Sequence, residues 1–67
     1  MILQQANGDK LTDRQAAAIE RMMHAVAHLH IRKPKSIKLR DNFDRGMEAV
    51  EKGGNHELLI MYCDIEW

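Results

Sequence analysis

The chain is poor in the residues that most often pin a small fold: one cysteine, one proline and three aromatic residues in 67 positions. Cys63 has no partner, so an intramolecular disulfide is excluded. A chain this short buries a smaller share of its surface than a larger domain, and its stability is marginal. A metal or a second subunit would then be the usual remaining support. A homodimer is the leading expectation, because apolar residues are plentiful and the metal-ligand set is poor. No stretch approaches the roughly 20 apolar residues of a membrane span. The opening MILQQANGDK has neither a basic leader nor a long apolar run. A lone cysteine together with such a start leads us to expect a cytoplasmic, reducing setting.

Motifs that fix a reaction are also missing. Gly53-Gly54 lacks the Lys and Ser/Thr of a phosphate-binding loop. Ser36 has no His or Asp in a recognisable arrangement, and Asp64 and Glu66 share a strand face with no sign of a cleft. Cys63 falls on the face expected to be buried, where a thiol packs rather than reacts. No catalytic residue and no cofactor are expected.

Formal net charge is zero, but the charges are sorted. Met1–Arg40 carries eight basic and three acidic residues, a balance of +5. Asp41–Trp67 carries two basic and seven acidic residues, a balance of −5. Such asymmetry marks either a charged partner or two halves that attract each other; the internal reading is favoured in a chain this small.

The elements read as a small single α+β domain in the order (β)-α-β-α-β, with two helices on a short two- or three-stranded sheet. Residues 1–11 supply a short edge strand and an Asn-Gly turn. A helix over 12–31 opens at Thr12, with Gln15 three residues on as a capping box, and stops before Pro34. Its apolar arc, about 200° wide, holds Met22 and Leu29 and is broader than one neighbour needs. That width points to a second packed surface, so Met22, Leu29 and the apolar terminal Trp67 are the expected dimer contacts. A strand over 36–40 alternates Ile37 and Leu39 with polar residues and is expected at the sheet edge. A second helix over 42–52 ends at Gly53. The run over 57–66 is apolar at every odd position from Leu59 and is expected to be the central strand. Parallel and antiparallel pairing of the last two strands are both open.

Two clusters carry chemistry. HAVAHLH, residues 24–30, places His24 and His28 on one helical face one turn beyond Glu20. Glu20, His24 and His28 are ligand types that zinc accepts, but the spacing is HxxxH without the Glu of the zinc-protease motif. A solvated helix face is the stronger reading, and His30 is expected within the apolar arc at the edge of the core. The second cluster is Arg32, Lys33, Lys35, Lys38 and Arg40, five cations in nine residues. Such groups bind phosphates without regard to sequence. They also protect an edge strand from aggregation. No aromatic stands among them in sequence to stack a base. The functional expectation is a small non-enzymatic binding or regulatory module, contacting nucleic acid or an acidic protein through residues 32–40. The alternative is a subunit that docks on a larger assembly through apolar surface.

Overall fold

The computed structural model describes all 67 residues. The chain runs β1 (Ile2–Gln4), α1 (Asp13–Ala25), α2 (Ala27–Ile31), β2 (Ser36–Leu39), α3 (Phe43–Glu51), a 3-10 helix (His56–Tyr62) and β3 (Cys63–Glu66). The strands form one mixed sheet in the order β1-β2-β3. β1 runs parallel to β2, with Leu3 opposite Ile37, and β3 runs antiparallel to β2, with Ile65 opposite Ile37. Leu3, Ile37, Leu39, Cys63 and Ile65 face the helices. Ile2, Gln4, Lys38, Asp64 and Glu66 lie exposed on the open face. The α+β architecture expected from the sequence is the one that forms.

The strand positions differ from expectation. β2 is central rather than at the edge, because β1 covers its second side. Residues 57–66 are not one central strand: His56–Tyr62 coil into a 3-10 helix and only Cys63–Glu66 extend, as an edge strand. An unbroken apolar run reads equally as a buried strand or a buried helical turn. Two local features decide it. Asn55 caps the turn by accepting a bond from the Glu57 amide at 3.0 Å. The Tyr62 ring then lies against Gly46 of α3, where no Cβ stands in its way.

The expected helix over 12–31 is two helices. Val26 adopts an extended conformation (φ −104°, ψ 103°) and separates α1 from α2. No Gly or Pro causes the break; a β-branched residue is at ease in extended backbone, and the demand for burial overrides helix propensity. Gln15, Ala18, Ile19 and Met22 of α1, then Val26 and Leu29, form one buried stripe. Ala16, Ala25 and Ala27, counted in the broad arc, are exposed. The stripe is thus as narrow as one packed surface requires. Met22 and Leu29 are wholly buried within the chain's own core and cannot serve as dimer contacts.

The helix ends follow the sequence closely. The Thr12 hydroxyl accepts a bond from the Gln15 amide, and the Gln15 side-chain oxygen accepts one from the Thr12 amide, closing the capping box. Gln15 is almost wholly buried and also donates to Asp44 at 3.1 Å, which ties the start of α1 to α3. Gly53 follows α3 with φ +119°, the left-handed conformation that glycine adopts freely. Around these elements, Ile19, Met22, Leu29, Ile37, Phe43, Met47 and Leu59 are the largest fully buried side chains. No buried side-chain polar atom lacks a hydrogen-bond partner. The core closes within one chain.

Candidate nucleic-acid interface

The segment between α2 and β2 is fastened at its end and open along its length. The Lys35 amide donates to the Glu66 carbonyl at 2.7 Å, and the Lys35 carbonyl accepts from the Ile2 amide at 3.0 Å. Lys35 is thereby held between the end of β3 and the start of β1. Pro34 is buried, which anchors the middle of the segment, while Arg32, Lys33 and Lys35 are all exposed.

The five cations of the sequence cluster fall into two groups. Lys38 and Arg40 lie beside Asp64: Lys38 is its register partner across β2 and β3, and the Arg40 guanidinium forms an ion pair with it at 3.1 Å. A carboxylate therefore offsets much of their field. Neither of the chain's ion pairs involves Arg32, Lys33 or Lys35. Of the cationic surface expected over residues 32–40, Arg40 is neutralised by Asp64, Lys38 lies opposite the same carboxylate, and Arg32, Lys33 and Lys35 stand apart from both.

Trp67 changes the character of this end. It follows β3 on the helix side of the sheet, where its ring sits 5.6 Å from the His28 ring, tilted by 33°. The Arg32 guanidinium carbon lies 5.8 Å from the Trp67 ring centroid, within range of a cation–π contact. His28, Arg32 and Trp67 line one open groove. Trp67, an expected dimer contact, is 46% exposed and so lies at the surface rather than in the core. An aromatic does stand among the cations. Sequence spacing missed it because 35 positions separate Arg32 from Trp67, and only the antiparallel return of β3 brings them together.

The histidines are re-sorted by the break at Val26. His30, expected at the core edge, is exposed, and its ring lies 5.1 Å from that of His24. His24 and His30 share a second pocket with Met1, Glu20, Met23 and Lys33. His28, expected beside Glu20 and His24, has turned to Trp67 instead. No group of three or more His, Cys, Asp or Glu side chains is placed to hold a metal ion. Glu20, His24 and His28 do not converge, and no site is built on them.

Cys63 is buried, and its thiol donates to the Leu59 carbonyl at 3.3 Å. Burial pushes the thiol up to about 12, with Arg40 pulling it down and Asp64 pushing it up by smaller amounts. A neutral, enclosed thiol is a packing group and not a nucleophile. No helix is long and apolar enough to cross a membrane. Compared with protein-family models, with curated proteins and with solved structures, the chain gives no significant match.

Proposed function

We propose that this chain is a small non-enzymatic binding or regulatory module that contacts nucleic acid through Arg32, Lys33 and Lys35, with His28 and Trp67 beside them. The observation that carries the reading is the separation of the cations. Arg40 is paired with Asp64, and Lys38 stands opposite the same carboxylate in the strand register, while residues 32–35 are in no ion pair and have no carboxylate as a register partner. Phosphate contacts supply affinity that does not depend on sequence. Lys35 is fixed by backbone bonds to both edge strands, so part of the ordering cost of binding is met before a ligand arrives.

The test compares two neutralised variants for binding of a fluorescent random-sequence oligonucleotide by anisotropy at low salt. Arg32→Gln/Lys33→Gln/Lys35→Gln is expected to weaken binding at least tenfold. Lys38→Gln/Arg40→Gln is expected to change it by less than threefold. Equal losses in the two variants, or a wild-type protein that does not bind, would overturn the reading.

A second reading, a homodimer or a docking subunit, has an observation of its own. Leu58 and Met61 stand one turn apart on the 3-10 helix and are 50% and 66% exposed. This reading moves the contact from α1 to the 3-10 helix. Light scattering of wild type and Leu58→Ser/Met61→Ser tests it: a dimer that the double change converts to a monomer supports it, and a monomeric wild type ends its homodimer form.

A further inference from the structure

We propose that the groove formed by Trp67, His28 and Arg32 takes an unpaired nucleobase, so that the preferred ligand is single-stranded. This rests on the nucleic-acid reading above and names its substrate class. A phosphate-binding surface needs only cations. This one also has an indole at its edge, nearly half exposed, with an imidazole 5.6 Å and a guanidinium 5.8 Å away around the same groove. An exposed aromatic ring beside cations is the kind of surface on which single-stranded nucleic acid stacks its bases. The ring meets His28 of α2 and the Arg32 guanidinium that follows it, and the groove they line with it is open.

The geometry favours a base over other aromatic-sized groups because of what surrounds the ring. Arg32 can reach a phosphate while its guanidinium plane stays near the indole, and Arg and aromatic faces are the groups on which unstacked bases lie. Lys33 and Lys35 follow within three positions and can meet neighbouring phosphates of the same strand. A duplex keeps its bases stacked on one another and presents only their edges, so it can use the cations but not the ring. Glu66 lies on the opposite face of β3, where it does not oppose a strand crossing the groove.

Three labelled probes separate the contributions: a ten-residue oligothymidylate, a ten-residue strand of abasic sugars with the same number of phosphates, and a ten-base-pair blunt duplex. Wild type is expected to bind the oligothymidylate about tenfold more tightly than the abasic strand, a typical stacking increment. Trp67 is the only tryptophan, so its fluorescence reports the event directly and is expected to be quenched by the oligothymidylate alone. Trp67→Ala is expected to lose that tenfold preference of the oligothymidylate over the abasic strand, and Trp67→Phe to retain most of it. If all three probes bind equally and Trp67→Ala changes nothing, the stacking proposal is overturned while the phosphate reading stands. If no probe binds, both fall.

Discussion

Single residues show most clearly how position in the fold, rather than residue type, sets chemistry. Cys63 is a thiol in a chain that offers no disulfide, and its enclosure against Leu59 removes its reactivity as well. Between its ordinary value of 9.0 and about 12, the folded protein keeps a proton that the unfolded chain has released. Stability therefore falls as pH rises through that window. At pH 8 the native thiol is expected to react with iodoacetamide at least a hundredfold more slowly than the thiol of protein unfolded in urea. Rapid alkylation of the folded protein would contradict the burial. That Cys63 packs inward was legible from its place in an apolar alternation. The meetings of His24 with His30 and of His28 with Trp67 were not, because they depend on one extended residue, Val26, and on the order of the strands.

At the scale of elements, local signals located the ends and misjudged the middles. Thr12, Gln15 and Gly53 are read from side-chain and backbone chemistry that acts over three or four positions, and each does what its type predicts. The break at Val26 and the 3-10 helix have no such signature; both answer to the core they must fill. The contact of α3 with the 3-10 helix gives a sharp test. A Cβ on residue 46 would lie 2.7 Å from Tyr62 Cδ2 and 2.9 Å from Cγ, closer than packed carbon atoms approach. Gly46→Ala should gain about 1 kcal/mol in helix propensity, yet overpacking against the ring should cost about 1–3 kcal/mol. The expected result is a lower melting temperature in the wild-type background. In a Tyr62→Ala background the same change should stabilise, since the clash is gone. Stabilisation in both backgrounds would mean that the ring does not rest on residue 46.

For the whole molecule, the sorted charges serve two ends. Both ion pairs join a cation of the first 40 residues to a carboxylate of the last 27: Arg14 to Glu51, and Arg40 to Asp64. The hydrogen bond from Arg14 holds the Glu51 carboxyl below its ordinary value of 4.5. What that pair contributes is present above this value and lost as pH falls through it. Both partners are exposed, so the effect is small. Glu51→Gln should lower the melting temperature slightly at neutral pH and leave it unchanged at acid pH, where the wild-type carboxyl is protonated, so that the acid side of the profile flattens; an equal loss at all pH values would point to packing instead. The internal use of charge was legible from the +5 and −5 halves, but which cations are spent inside and which remain outside needed the sheet order. The expected dimer arose from an apolar arc that the alanines had widened. The radius of gyration, 10.8 Å, matches the roughly 11 Å of a compact folded chain of this length. The charge of residues 32–35 faces outward beside Trp67, and its role is tested most directly by the salt dependence of oligothymidylate binding. Three phosphate contacts on a single strand predict that log K falls against log salt with a slope of about −2. A slope near zero, or no binding at the lowest salt, would contradict the account.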